Sequence, residues 1–419
     1  MKRISIKTVG CRLNQAESAQ MAGRLKAAGH SIVPFGQPSD VCVVHTCAVT
    51  SRANQDCLRI ARVVKKAAPE TFVVLAGCGV EIDGQRLKEE SGADLVLGQK
   101  EKFSLPLVLA NQKQPDGDDR HASDNASCLP SFETTRAIVK VQDGCNFCCA
   151  YCIVPLARGR PESRQAREIV EEVKALSDAG YLEVILTGAN LGCYKDGSQG
   201  LVDLIAQIEA IEGIARIRLS SIELSTVELE LVDFMAGSKK LCRHIHLPLQ
   251  SGDNRVLSSM GRRYSVEQYR GFVEYAIGKL PFLGIGTDVL VGFPGEDESA
   301  FQSTLKLVED TPFSNLHVFA YSRRAGTRAT TMSDQVQHAD KQRRSHCLVK
   351  LGEKKKNEFA MNFIGREVSV LVEKGGMNVR NSGRGWTSEY VQADVSIPGL
   401  TANRIVNFVP SRWSQGALR

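Results

Sequence analysis

Residues 144–155 read Gly-Cys-Asn-Phe-Cys-Cys-Ala-Tyr-Cys-Ile-Val-Pro, which places Cys145, Cys149 and Cys152 at the spacing C-x3-C-x2-C. Three thiolates this close together in sequence can bind one face of an inorganic cluster. A four-iron cubane needs one ligand per iron, so three cysteines leave one iron open to a small molecule. The stretch therefore predicts a three-ligand iron–sulfur site. Cys148 is an extra thiol inside it, which we interpret as a packing or incidental residue.

A structural zinc site and disulfide bonds are two other possible roles for these cysteines. A structural zinc site wants four ligands, usually as paired C-x2-C units, and a second pair is missing. Disulfides require an oxidising compartment. The chain shows no charged-then-apolar leader at its start and no run of 18 apolar residues, so we expect a cytoplasmic protein with no membrane association.

Composition sets further bounds. A chain of 419 residues with 42% hydrophobic content is expected to hold two or three domains with buried cores. Thirteen cysteines, an odd number, favour metal chemistry over a disulfide framework. The net charge is only +6, but residues 321–356 hold ten Lys or Arg against three Asp or Glu. This basic stretch suits a polyanionic partner or, equally, a solvated helix face.

The first 110 residues alternate strand and helix patterns, which predicts an α/β domain with a doubly wound parallel sheet. Cys11, Cys47 and Cys78 come just after three of the predicted strands. Ligands bind at the carboxyl edge of open parallel sheets, so these cysteines are expected to converge as a second three-thiolate site. The alternative is three unrelated buried cysteines. Asn14, with Glu17 three positions on, is predicted to cap the first helix.

Four further segments follow. Residues 111–133 are rich in polar turn-formers and read as a linker that includes Cys128. Residues 134–335 show six βα repeats, too few for a closed eight-fold barrel, which predicts an open, partial (β/α)6 barrel. Residues 336–360 form a basic connecting helix. Residues 361–419 alternate at period two, with turns at 375–376, 383 and 398–399, and predict a small β-barrel.

Several blocks make the chain resemble the radical S-adenosylmethionine (SAM) methylthiotransferases over essentially its whole length. The cysteine loop resembles that family's signature. So do four other blocks, and the C-terminal segment resembles the RNA-binding TRAM domain. The blocks are 156–164, 247–252, 288–296 and 319–327.

Within this family the chain is most similar to the branch that acts on threonylcarbamoyladenosine at position 37 of tRNA. The resemblance rests on the blocks 10–15, 187–192 and 218–223. It implies two [4Fe-4S] clusters, one on Cys145, Cys149 and Cys152 and one on the three N-terminal cysteines. The first, reduced by an electron donor, would cleave SAM to a 5′-deoxyadenosyl radical. The second would carry the sulfur, which is methylated and then delivered to adenine C2.

The strand ends of the partial barrel are expected to contact SAM. Gly188, Ser221, Gln250 and Asp288 lie at or just past such ends, although ordinary turn chemistry explains each taken singly equally well. Both clusters would have to face one cavity, and the tRNA anticodon loop would offer its base there.

Three other functions stay open on the sequence. The same chemistry could modify a ribosomal-protein side chain or isopentenyladenosine in tRNA. A non-catalytic, metal-bound RNA-binding module is the more distant alternative. His244 and His246 share one strand face, and we interpret them as hydrogen-bonded histidines rather than metal ligands.

Overall fold

A computed structural model describes residues 1–111, 128–378 and 382–419. The predicted linker, 111–133, lies largely outside these ranges. By their packing the residues form two compact units. The first holds residues 1–132, 143–146 and 152–162, and the second holds 133–142, 147–151 and 163–419. None of the helices in the described ranges is both long and apolar enough to cross a membrane.

The first unit is built on a five-stranded, fully parallel sheet in the order β2-β1-β3-β4-β5. Alternate residues of β3 pack in two separate hydrophobic cores. Val41 and Val43 pack on one face of the sheet, and Cys42 and Val44 pack on the other. Two buried faces are what a doubly wound sheet requires, and the prediction is confirmed. Its elements are β1 (Arg3–Thr8), α1 (Arg12–Ala27), β2 (Ser31–Val33), β3 (Val41–Thr46), α2 (Ser51–Ala67), β4 (Phe72–Gly77), α3 (Cys78–Ser91), β5 (Leu95–Leu97) and α4 (Leu105–Asn111).

The cysteine loop has a short strand at each end and one short helix within it. These elements are β7 (Gln142–Asp143), α5 (Val154–Arg158) and β8 (Glu162–Ser163). Helix α5 was not predicted, because five residues are too few to show a helical period.

The second unit contains six parallel strands in the order β6-β9-β10-β11-β12-β13. Isolated parallel bridges, such as Ser221 with His246, join β10 to β11. No pairing of described residues joins β13 back to β6, so the partial barrel is confirmed as open. Its elements are β6 (Ala137–Lys140), α6 (Ala166–Asp178), β9 (Glu183–Thr187), α7 (Leu201–Glu209), β10 (Arg216–Leu219), α8 (Leu229–Gly237), β11 (His244–His246), α9 (Asn254–Met260), α10 (Val266–Lys279), β12 (Gly284–Val291), α11 (Glu298–Asp310) and β13 (Asn315–Ala320).

A long helix and a small sheet complete the second unit. The predicted basic helix is α12 (His338–Met361), and the sheet runs in the order β17-β14-β15-β16-β19-β18 around one apolar core. The turns predicted at 375–376 and 383 are wrong. Gly376 and Gly383 lie inside paired strands, where a Cβ would come within 2.6 Å of the neighbouring strand. The strands are β14 (Val368–Asn378), β15 (Ser382–Thr387), β16 (Gln392–Ser396), β17 (Ile405–Phe408), β18 (Trp413–Ser414) and β19 (Ala417–Leu418).

Candidate active site

The carboxyl edge of the N-terminal sheet brings Cys11, Cys47 and Cys78 together. They follow β1, β3 and β4, which are neighbours in the sheet. The sulfurs of Cys11 and Cys78 each lie 3.9 Å from Asn14 Oδ1, so they are no farther apart than twice that distance. A Cβ on Gly10 would lie 2.8 Å from the sulfur of Cys47, so the turn before Cys11 rests directly on Cys47. This is the N-terminal cysteine site.

The three thiols differ in exposure. Cys11 is exposed, whereas Cys47 and Cys78 are buried. Burial raises the pKa of Cys78 to about 11, although the nearby charges of Arg158 and Lys102 oppose the rise. Iron binding needs the thiolate, so these cations favour the form that ligates metal.

Beside this site lies a buried ion network centred on Glu17, whose side chain is 0% exposed. Lys102 Nζ lies 2.6 Å from Glu17 Oε2, and the guanidinium of Arg158 donates to both carboxylate oxygens at 3.0 Å. Gln99 donates to the same carboxylate at 3.1 Å. The neighbouring His45 stays neutral, because burial and the charge of Lys102 lower its pKa to about 3.

The predicted cap of α1 is therefore wrong. The helix begins at Arg12 after Cys11, which makes no side-chain capping bond. The Asn14 amide donates instead to the carbonyls of Val9 and Thr46, at 2.9 and 3.0 Å. Asn14 and Glu17 hold the cysteine edge together. Both lie on the buried face of α1, three residues apart, and this is also the spacing of a capping box.

Arg158 connects this network to the residues that flank the cysteine loop. Its NH2 group donates to Asn14 Oδ1 at 2.7 Å, and its NH1 group donates to Asp143 Oδ1 at 2.9 Å, two residues before Cys145. Ile153, which follows Cys152, packs in one apolar cluster with Ala48 and Cys78. Arg158 lies in block 156–164, one of the blocks on which the sequence resemblance rests. Its position in the sequence did not indicate these contacts.

Backbone contacts hold the start of the loop. The amide of Cys145 donates to the carbonyl of Gly159 at 3.0 Å. Gly144 has φ +66, and a Cβ there would lie 1.9 Å from the carbonyl oxygen of Arg160, so only glycine fits. Cys148, interpreted as a packing or incidental residue, is exposed.

Cys149 has a charged neighbour that sequence reasoning missed. Arg262 NH1 lies 3.3 Å from its sulfur, and Arg262 NH2 pairs with Glu223. The next residue, Ala150, is fixed by backbone hydrogen bonds to Met260 at 2.8 Å and Ala329 at 2.7 Å. Arg262 therefore places a positive charge beside this thiol.

The four residues predicted to contact SAM lie along neighbouring strands of the barrel. Gly188 and Ser221 follow β9 and β10, Gln250 lies beyond β11, and Asp288 lies in β12. Gln250 has φ +68, an uncommon conformation for a residue with a side chain. Its backbone N–H donates to the backbone carbonyl of Asp288 at 2.8 Å. A Cβ on Gly188 would lie 2.7 Å from Gln142 Oε1, so this glycine admits the Gln142 side chain.

Asp288 is held as a carboxylate by two imidazoles. His246 Nε2 lies 3.0 Å from Asp288 Oδ1, and His317 Nδ1 lies 3.2 Å from the same oxygen. Burial opposes the charge, but these hydrogen bonds hold the pKa of Asp288 well below its usual range. His246 thus has the hydrogen-bond partner predicted for it. The same three side chains converge closely enough to contact one cation.

Known protein families match two parts of the chain. The Radical SAM superfamily matches residues 139–308, and the Uncharacterized protein family UPF0004 matches residues 3–98. The first match covers the cysteine loop and the barrel, and the second covers the N-terminal cysteine site.

Two curated relatives align over most of the chain. "Threonylcarbamoyladenosine tRNA methylthiotransferase MtaB" of Aquifex aeolicus (strain VF5) is 34% identical over 88% of this chain and 92% of its own length. A "tRNA-2-methylthio-N(6)-dimethylallyladenosine synthase" of Acetivibrio thermocellus (strain ATCC 27405 and its equivalents) is 32% identical over 99% of this chain and 90% of its own. The chain belongs to the radical SAM methylthiotransferase family, and it is a SAM-dependent enzyme.

Solved structures agree on the fold. The radical SAM methyltransferase TsrM from Kitasatospora setae, with cobalamin and a [4Fe-4S] cluster bound, superposes with a TM-score of 0.59. The match covers 78% of this chain and 77% of that one at 13% identity, so it supports the fold alone.

Proposed function

We propose that this enzyme methylthiolates C2 of N6-threonylcarbamoyladenosine at position 37 of tRNA in the cytoplasm. The observation that carries the proposal is the N-terminal cysteine site. Three thiols from three strand ends converge beside two buried cations, in a chain that also has the C-x3-C-x2-C loop. A radical SAM enzyme needs only the loop for SAM cleavage. A second three-thiol site supports a reaction that also delivers sulfur.

The proposed ligands are two sets of three cysteines. Cys145, Cys149 and Cys152 would hold one [4Fe-4S] cluster, and Cys11, Cys47 and Cys78 would hold the second. The chemistry that these groups supply when bound is radical generation from SAM at the first site and sulfur donation at the second. The electron for the first comes from a separate donor.

The N-terminal site fits an anionic cluster electrostatically. A cluster bound by three thiolates is anionic, and Lys102 and Arg158 supply two buried cations against the one fully buried carboxylate of Glu17. Asn14 spaces Cys11 and Cys78, and Arg158 ties this edge to Asp143. These residues bind, orient and neutralise, and they take no proton from the substrate.

SAM would bind at the strand ends that carry Gly188, Ser221 and Gln250, beside Asp288, which lies within β12 rather than at its end. The substrate RNA would bind the C-terminal segment, 361–419, which resembles an RNA-binding domain. Position 37 lies beside the anticodon in a single-stranded loop, where a base can leave the stack without breaking a duplex.

The threonylcarbamoyl substrate is supported by the block Gly10–Gln15 and by the name of the Aquifex relative. Relatives named for dimethylallyladenosine are similarly close in identity. Modified nucleosides from cells with and without the gene decide between them. We expect loss of 2-methylthio-threonylcarbamoyladenosine. Loss of the dimethylallyl derivative instead would redirect the substrate, and unchanged nucleosides would favour a protein substrate.

Iron counting on anaerobically purified variants tests the two sites. We expect Cys47→Ala to lose about half of the iron while the remaining cluster still cleaves SAM. Cys149→Ala is expected to lose the other half together with SAM cleavage, and to leave tRNA affinity intact. Matched controls are Cys42→Ala, a buried core cysteine of the same unit as Cys47, and Cys148→Ala, the exposed neighbour of Cys149. Zinc in place of iron in the wild type would support the non-catalytic RNA-binding module.

A further inference from the structure

A cavity of about 1040 Å³ lies between the end of β13, the loop after it and the first turns of α12. Its lining includes Tyr321, Arg323, Gln335, His338 and Lys341. We call it the α12 groove. It is distinct from both cysteine sites and from the four residues proposed to contact SAM.

The groove is electropositive. Of the described residues that line it, none is acidic, and Arg323 and Lys341 are cations. Their described hydrogen-bond partners are neutral: Arg323 Nε donates to Gln335 at 3.2 Å, and Lys341 Nζ donates to the Tyr321 carbonyl at 3.2 Å. Burial and the nearby charge of Arg323 lower the pKa of Lys341, and the charge of Glu296, which pairs with Arg344 outside the groove lining, opposes this only in part. Two neighbouring cations of this kind would be stabilised by an anionic ligand.

The cations stand on a rigid frame. The buried side chains of Glu296 and Arg344 pair at 2.7 Å and fix α12 against the turn after β12. The aliphatic part of the Lys341 side chain packs against Gly292, which has φ +70. A Cβ at this glycine would lie 2.3 Å from Lys341 Cγ, so a larger residue would displace the lysine. The groove is therefore preformed, and binding an extended anion would cost little reordering of the protein.

Arg343 shows the contrast on the same helix. It lies outside the groove, and its guanidinium is neutralised by Glu298. Cations whose described hydrogen-bond partners are neutral suit a polyanionic ligand such as a nucleic acid backbone.

We propose that the α12 groove binds the phosphate backbone of the substrate tRNA. The inference rests on the proposed function, in which the substrate is a tRNA, and it adds the place where the backbone is held. Arg323 and Lys341 contact phosphates, and the imidazole of His338 lies at the same wall. The wide groove receives several consecutive phosphates rather than one free ion.

The test measures tRNA affinity against salt. The holoenzyme, a variant carrying Arg323→Gln and Lys341→Gln, and the control Arg343→Gln are titrated with a fluorescent anticodon stem-loop at several KCl concentrations. We expect the double variant to bind at least tenfold more weakly and to lose about 2 from the slope of log K against log[salt], roughly one per lost phosphate contact. The control is expected to stay within twofold of the wild type.

Iron content and SAM cleavage without RNA show that the double variant is folded and loaded. Should it lose iron, Arg323→Gln alone replaces it, because that side chain is exposed, and a slope change of about 1 is then expected. Unchanged affinity and slope in a loaded variant would overturn the groove assignment while leaving the tRNA substrate standing. A wild type with no affinity for tRNA would overturn the proposed function itself, and the groove assignment with it.

Discussion

Glu17 and Glu183 are both fully buried carboxylates held by two cations, but they sit in different surroundings. Around Glu17, Lys102 and Arg158 lie beside the thiols of the N-terminal cysteine site. Around Glu183, Arg218 pairs at 2.8 Å and Arg216 at 3.7 Å, beneath the C-terminal sheet. The same pairing of charges serves a proposed metal site in one region and the docking of a sheet in the other.

The difference lies in what else the cations bind. Arg216 donates to the carbonyls of Trp386 and Ser369, and Arg218 donates to those of Thr387 and Ser388, at 2.6–3.1 Å. These arginines would keep most of their partners without the carboxylate. Arg158 also binds Asp143 and Asn14, so it keeps two partners without Glu17, whereas the described ion pair of Lys102 is with Glu17. The buried carboxylate of Glu17 therefore matters most for Lys102.

Glu17→Gln tests this dependence at its strongest. It removes the carboxylate that pairs with the buried Lys102 and one of the two carboxylates that pair with Arg158, and we expect a loss of about 3–5 kcal/mol in the free energy of unfolding of the apoprotein. Urea unfolding at pH 7 measures it. Glu70→Gln, an exposed carboxylate of the same unit, is the control and should change stability by less than about 0.5 kcal/mol. A loss for Glu17→Gln as small as the control's would show that the network does not stabilise the edge.

Glu183→Gln should cost less, about 2 kcal/mol, because the backbone carbonyls still satisfy both arginines. The loss is expected to be local. Amide hydrogen exchange should rise in β14 and β15, which pack on the arginines, and stay unchanged in β1 and β3. Equal or greater destabilisation than in Glu17→Gln would reverse the order of the two networks.

The pH dependence of the free energy of unfolding should distinguish the wild type from Glu183→Gln. Burial opposes the charge of Glu183, but its pairing with Arg218 holds its pKa below the ordinary 4.5. The unfolded chain therefore binds this proton more readily, and the stability that Glu183 contributes is present above pH 4.5 and lost as pH falls further. The stability gap between the two proteins should shrink in unfolding curves taken from pH 6 to pH 3.5. A constant gap would mean that the carboxylate contributes no ionic stabilisation.

The smallest effect is expected at the rim of the same interface. Glu373 pairs with Arg136 at 2.9 Å and accepts from Trp386 Nε1 at 3.1 Å, and its side chain is 28% exposed. Partial exposure weakens such a pair, so Glu373→Gln should cost about 1 kcal/mol or less. Thermal unfolding of both proteins at low and high salt measures it. A loss that matches Glu183→Gln would show that the rim contributes as much as the buried arginines.

The fold followed from local patterns. The predicted N-terminal strands that precede the three cysteines and all six barrel strands are present, and β3 and β4 show the buried apolar runs that made them predictable. The elements that were not predicted include β2, α4, α5 and α9, which have seven residues or fewer and show no clear period, and the longer helix α3. The glycines at 376 and 383 were misread, since a residue that allows a turn also allows two strands to approach closely.

The cysteine spacing of the loop, the family and the strand ends before Cys11, Cys47 and Cys78 can be read from local sequence patterns. Those features depend on neighbours within a few residues. The roles of Asn14, Glu17, Arg158 and Arg262, and the existence of the α12 groove, become visible once the chain is folded. Arg158 and Glu17 are 141 residues apart, and no local pattern records a pair that forms only when distant elements pack.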